Sequence, residues 1–193
     1  CMRLAGGSTF DLRQDENGRR WDFRPAADRD RARRRILQEK PFLVAGCPPC
    51  TEFSSVQALN HARLSDEERQ RRWAEACVLL GFALQVYRLQ LAGGRHFLHE
   101  QPAGASRWQL AEVERLRADP RVGEVVGDQC RCGLRIAGPG GALAPAKKPT
   151  RFLSSSPAIL RRLSLRCRGS HQHVHLLGGR RTSAAAIYPP GLR

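Results

Sequence analysis

No stretch of the 193 residues approaches 18 consecutive apolar residues, which excludes a membrane-spanning helix. The N-terminal CMRLAGGSTFDL has no apolar run of signal-peptide length, so no secretory address is expected from it. Lysine is scarce: it occurs only at Lys40, Lys147 and Lys148, and arginine supplies the rest of the positive charge. A disulfide framework is also missing. The seven cysteines (Cys1, Cys47, Cys50, Cys77, Cys130, Cys132 and Cys167) are odd in number and irregularly spaced, which fits a reducing intracellular compartment, nuclear or cytoplasmic. No internal repeat is present. The chain opens at Cys1 without a clear initiator and closes abruptly at YPPGLR, and is expected to be a fragment.

What is present reads as a globular domain. Hydrophobic residues make up 41% and charged residues 26%, ordinary values for a chain long enough to bury its own core. The net charge of +15 points to an anionic partner, with nucleic acid the first candidate. An Arg-, Ala-, Gly- and Pro-rich composition also arises from GC-rich coding sequence, so charge alone does not decide between these origins.

Residues 8–12 (STFDL) read as a strand, and Asn17-Gly18 as a turn. A charged helix is expected over Asp28–Lys40, its arginine run 31–35 a solvated face. Residues 41–46 (PFLVAG) form a short apolar run typical of a buried parallel strand. The strongest helix spans Ser65–Leu91, with Ser65 as N-cap, Glu68 at capping-box spacing, and Trp73, Leu80 and Leu84 on its core face. Strands follow at 96–99 and 122–126, a helix at Trp108–Ala118, a Gly/Pro-rich loop at 137–149, a strand at Arg151–Ser155 and a helix at Pro157–Leu165. This alternation predicts an α/β fold with a mainly parallel, Rossmann-like sheet over residues 8–165. Residues 166–193 form a Cys/His- and Arg-rich extension. Ligands of such a sheet bind at the carboxyl ends of its strands.

Two stretches lie at those ends. In FLVAGCPPCTEFS (42–54), prolines fix φ on a stiff loop that presents a cysteine as a thiolate nucleophile; the other reading is a redox or metal pair, Cys47 with Cys50. In RHFLHEQPAGASRW (95–108), Glu100 stands at a strand mouth beside a proline turn, where a carboxylate can bond or protonate a base edge. His99 next to it reads either as a general base or as a packed strand-end histidine. A Cys–His hydrolase using Cys50 with His99 or His61 is a further reading, without a glycine-rich oxyanion loop to support it.

Together these stretches resemble the DNA cytosine-5 methyltransferases. Pro49-Cys50-Thr51-Glu52-Phe53-Ser54 matches the family's Pro-Cys loop. Glu100-Gln101-Pro102 matches the Glu-Asn-Pro strand end of phage-like members, with Gln for Asn. Ser106, Trp108, the stretch 129–133 and Lys148-Pro149-Thr150-Arg151 extend the likeness, which covers roughly residues 8 to 156 and includes methyltransferase-like segments of retroelement polyproteins. The resemblance implies a class I methyltransferase-type sheet and a methyl donor, S-adenosylmethionine. It implies a Cys50 nucleophile attacking cytosine carbon 6, with Glu100 holding nitrogen 3. Asp22, Asp11 and Pro49 would face the cofactor, and Ser54, Arg131, Lys148 and Arg151 would contact DNA, RNA being an open alternative. The target base would be flipped from the duplex. The family's glycine-rich cofactor loop is not found in these residues, and Gly6-Gly7 precedes the first expected strand. An inactive methyltransferase-like domain, or a basic nucleic-acid-binding remnant of a mobile-element polyprotein, is therefore the alternative.

RCRGSHQHVH sets Cys167, His171, His173 and His175 close together. Cys130, Cys132, Cys167 and His171 make a candidate tetrahedral zinc set; alternating histidines on a polar strand face, or a strand touching phosphate, are the other readings.

Overall fold

The computed structural model describes residues 6–12, 18, 20–49, 51–53, 64–176 and 179–192, with residues 179 and 180 as backbone only. Cys50, Ser54, His61 and Asn17 lie outside the described residues.

Helix α1 (Ala26–Glu39) starts behind Pro25 and stops at Lys40, whose φ of 45° is left-handed. Strand β1 (Leu43–Gly46) follows. Helix α2 (Asp66–Ala92) is capped by Ser65, whose Oγ accepts from the Glu68 N–H. Asp66, Glu67 and Glu68 place negative charge at its positive end. Glu68 does not complete a reciprocal capping box; it binds Arg71 and Arg72 one turn on. Strand β2 (His96–Pro102), helix α3 (Ala111–Arg117), strand β3 (Gly123–Asp128), the hairpin β4 (Arg135–Ala137) and β5 (Leu143–Pro145), strand β6 (Pro149–Ser154) and helix α4 (Pro157–Leu163) come next, then helix α5 (Gly179–Ala184). Among the described residues, no helix is long and apolar enough to cross a membrane.

The fold is mixed α/β. Its main sheet runs β1-β2-β6-β3, with β1 and β2 parallel and β6 antiparallel to both neighbours. The expectation of a mainly parallel sheet is thus corrected: β6 turns back directly from the β4–β5 hairpin and inserts between β2 and β3. A short return permits an antiparallel pairing, whereas a parallel one needs a long crossover. The expected strand at 8–12 does not form. Phe10 packs on Trp21 and Phe23, and the Asp11 carbonyl accepts the Trp21 N–H, so the segment is held by aromatic contact instead of by a ladder.

Helix α2 is covered on two sides. Ala76, Leu80, Leu84, Tyr87 and Leu91 join Phe97, Trp108, Val113, Leu116 and Leu153 in the main core. Phe82 and Val86 pack instead with Trp21, Ala32 and Ile36. Trp73, expected in the core, is 42% exposed; it lies near the helix start, where its ring leans on Phe53. The arginines of α1 largely meet carboxylates on their own helix: Arg31 with Asp28, Arg33 with Asp30, Arg35 with Glu39.

Tyr87 locks α2 to the strands. Its ring stacks on Phe97 at 4.6 Å, its hydroxyl meets His99 Nδ1 at 3.0 Å, and a Cβ on Gly46 would collide with that hydroxyl. Gly46→Ala is therefore expected to cost about 1–3 kcal/mol by overpacking. Removing the hydroxyl in a Gly46→Ala/Tyr87→Phe double variant should cost less than the sum of the single changes, measured by urea unfolding.

Candidate functional site

The parallel register aligns Gly46 with His99, so the chain leaving β1 at Cys47 runs beside Glu100 near the end of β2. Strand alternation sends Phe97, His99 and Gln101 to one face and Glu100 to the other. On the first face, His99 is fully buried against Tyr87 and Trp108. Burial holds its imidazole neutral, with a pKa down to about 3, and the nearby Arg107 charge acts in the same direction. Such a ring is a packing element and does not serve as a base at neutral pH.

Gln101 and the turn after β2 seize the loop that leaves β1. The Gln101 side-chain amide donates to the Pro48 carbonyl at 2.7 Å. The fully buried Arg107 donates to the carbonyls of both Pro48 and Pro49, with its guanidinium 4.2 Å from the Phe53 ring centroid. Ser106 Oγ donates to the Phe53 carbonyl at 3.2 Å, and Trp108 Nε1 closes the turn onto the Pro102 carbonyl at 2.8 Å. Residues 48, 49 and 53, flanking position 50 in the sequence, are thus tied to one turn. Prolines supply no N–H, so their carbonyls are the available handles. Gln101 has a structural task here. Arg107 escaped the sequence reading because one arginine in so basic a chain carries no distinguishing signal; its position between Ser106 and Trp108 was the only hint.

On the second face, Glu100 is buried. The Tyr188 hydroxyl donates to its Oε2 at 3.0 Å. The phenol has one proton, and with that proton given to Glu100 its oxygen accepts from the Cys47 thiol, with which it is in hydrogen-bond contact. Oε1 of Glu100 is buried with no hydrogen-bond partner among the described residues. Cys47 keeps an accessible flank yet sits in dense protein. Desolvation, followed by the Glu100 charge, pushes its thiol up to about 12. Burial, with the charges of Cys47 and Glu100, likewise raises the Tyr188 hydroxyl. The upward shift of Cys47 disfavours its thiolate at neutral pH, and a redox role for this residue finds no support in its acidity.

The remaining candidates are dispersed. Both Asp22 carboxylate oxygens are held by Arg24, at 2.9 and 2.6 Å, and this pairing lowers the Asp22 pKa. Asp11 lies beside Trp21. Pro49 lines an open cleft of about 350 Å³ with Arg24, Glu52, Arg71, Arg72 and Glu75. Lys148 donates to the Ala185 carbonyl at 2.7 Å. Arg151 is ion-paired to Glu124 at 2.9 Å and lies over the Trp108 ring, so its charge is answered within the fold. Arg131 is exposed on the 3-10 turn Gln129–Cys132.

Of the candidate zinc set, Cys130, Cys167 and His171 come together, but Cys132 does not join them; His173 takes its place. Residues 171–176 form no strand, so the histidines do not line a strand face. The sequence also divides sharply by charge. Residues 129–193 hold twelve Lys or Arg and no Asp or Glu, which puts +12 of the +15 in that stretch.

Comparison with protein-family models, curated proteins and solved structures returns no match to this chain.

Two outcomes are expected. Glu100→Gln removes a negative charge that raises the Cys47 pKa, so alkylation of Cys47 at pH 8–9, followed by peptide mass spectrometry in a Cys50→Ala background, should speed up. His99 takes up its proton near 6.5 when unfolded and near 3 when folded, so the unfolded chain binds more protons between these values. Stability should therefore fall as pH drops from about 6.5 toward about 3. His99→Gln should flatten that slope in urea-unfolding measurements.

Proposed function

We propose that the chain is the base-binding, nucleophile-bearing part of a DNA cytosine-5 methyltransferase-like domain. One observation carries this reading. The chain leaving β1 at Cys47 runs beside Glu100, near the carboxyl end of β2, and Gln101, Ser106 and Arg107 fasten residues 48, 49 and 53. Open α/β sheets bind their ligands at such strand ends. Glu100 Oε1, buried and without a hydrogen-bond partner among the described residues, adds support, because such an atom gains a hydrogen bond when a base edge meets it.

In this reading, a flipped cytosine enters beside Glu100, which holds the ring at nitrogen 3. The Cys50 thiolate adds to carbon 6, forming the S–C bond, and the displaced electron pair moves to carbon 5. Proton uptake at carbon 5 from water, loss of the original hydrogen and expulsion of the thiolate restore cytosine. The net event is hydrogen exchange at carbon 5.

S-adenosylmethionine fits the described residues poorly. Arg24 engages both oxygens of Asp22, and the cleft beside Pro49 mixes three arginines and two glutamates with Ala76 and Leu79.

The test is tritium release from DNA carrying 5-tritiated cytosine, with no methyl donor added. Release is expected from the wild-type chain. Cys50→Ala should abolish it, and Glu100→Gln should slow it by about 10²–10⁴-fold, the range of acid–base contributions. Release that persists in Cys50→Ala would overturn the assignment. A second reading, nucleic-acid binding without catalysis, is favoured by the acid-free stretch 129–193. It predicts binding that weakens steeply with salt while no tritium is released.

A further inference from the structure

We propose that Cys130, Cys167, His171 and His173 form a tetrahedral zinc site that fastens the C-terminal basic segment to the end of β3. The inference stands apart from the base-attack reading and uses none of its residues.

The four side chains come from two places. Cys130 sits in the 3-10 turn Gln129–Cys132 that directly follows β3, and the other three lie on the segment beyond α4. One ligand atom from each lies within 4.8 Å of all the others. Cys167 Sγ is 3.6 Å from His171 Nε2 and 3.4 Å from His173 Nε2. A tetrahedral zinc ion with Zn–S of about 2.3 Å and Zn–N of about 2.0–2.1 Å has sulfur–nitrogen edges of about 3.5 Å. The observed separations match that edge. Two thiols and two imidazoles are also a donor set that zinc takes in structural sites.

The surroundings hold the ligands in place. Asp128, fully buried at the end of β3, accepts the Cys167 N–H at 2.8 Å and pairs with Arg166 at 3.2 Å. The Asp128 N–H donates to the Leu165 carbonyl at 2.9 Å, which lays the incoming segment along the strand end. Gly169, at a φ of +76°, turns the chain so that its N–H points at Cys167 Sγ, 3.4 Å away. Such outer hydrogen bonds orient ligands and stabilise a thiolate. Residues 129–193 contribute no carboxylate here, and the neighbouring Asp128 carboxylate is engaged through Oδ2 by the Cys167 N–H and Arg166. Two cysteine protons leave as the ion binds, and the two negative charges balance the dication.

The test is a Co²⁺ titration of the reduced 193-residue chain. One equivalent should give the visible ligand-field absorption of tetrahedral cobalt with a near-ultraviolet thiolate band, and one equivalent of Zn²⁺ should erase both. Cys167→Ser and His173→Ala should each lose the tetrahedral spectrum, while Cys132→Ser retains it. Zinc should raise the melting temperature of the wild-type chain by mass action, and a chelator should reverse the gain. Absence of a tetrahedral spectrum in the wild-type chain would overturn the proposal without any variant. Loss of the spectrum in Cys132→Ser, or its survival intact in His173→Ala, would overturn this ligand set.

Discussion

Tyr87 is the contact on which the arrangement of the strand ends depends. It comes from the apolar half of the longest described helix and touches both parallel strands at once: the backbone of Gly46 on β1, and Phe97 and His99 on β2. Only a residue without a side chain at position 46 admits this approach. The helix therefore seats against the sheet in one position, and β1 ends opposite His99, three residues before β2 ends at Pro102. His99 is drawn in as the hydroxyl's partner. The phenol and the imidazole Nδ1 bond to one another, which offsets part of the cost of burying both, while His99 Nε2 is buried with no hydrogen-bond partner among the described residues. Everything at the strand ends inherits this geometry, from the loop that leaves Gly46 to the Glu100 carboxylate one residue past His99.

The turn after β2 then converts geometry into a fixed loop. Arg107 is a fully buried cation that donates to two backbone carbonyls and lies against an aromatic face. A guanidinium presents several donors in a planar fork, and two proline carbonyls in succession offer acceptors with no donors of their own. Buried charge is costly unless its hydrogen bonds are met. Once paid out in this way, the arginine defines the loop path more narrowly than apolar packing would. The opposite face carries a different chemistry. There, Cys47, Tyr188 and Glu100 form a short chain of hydrogen bonds in which burial holds the thiol and the phenol protonated.

The local chemistry of the sequence made much of this legible. Ser65 with three following acids announced α2, and the apolar runs at 41–46 and 96–99 announced β1 and β2. Leu80 and Leu84 are buried as their spacing implied, whereas Trp73 lies one turn too close to the helix end to be covered. Sheet direction was not legible, because periodicity reports which residues share a face and says nothing of which way a strand runs. The reversed β6 follows from a short hairpin hidden in a Gly/Pro-rich stretch that reads as loop. Residues 8–12 have the composition of a strand but pair with no strand among the described residues. Within the site, Glu100 stood out by its motif, while Tyr188 did not: it lies 88 residues along the chain in a stretch that reads as a tail.

The C-terminal segment shows why such tails defeat sequence reading and what ordering them requires. Residues 164–176 form neither helix nor strand, so few of their backbone groups are met by a repeating ladder. Fixing a backbone costs about 1–2 kcal/mol per residue, and Val174 and Leu176 are only partly buried against Leu134, Ile136, Ala146 and Ala185. Apolar burial of that kind does not hold an irregular, acid-free and strongly basic stretch against a domain that is itself positive. What the segment does have is a cysteine and two histidines facing a fourth ligand on the rigid end of β3, and a backbone tied there by Asp128. The ion proposed for that point would act as a cross-link whose charge is neutralised by its own thiolates. It leaves the downstream chain to run past Lys148, which binds the Ala185 carbonyl, and to deliver Tyr188 to Glu100. The cluster beyond β3 and the carboxylate at the end of β2 are in this sense parts of one construction, joined through residues whose individual types, read along the sequence, suggested only an extension.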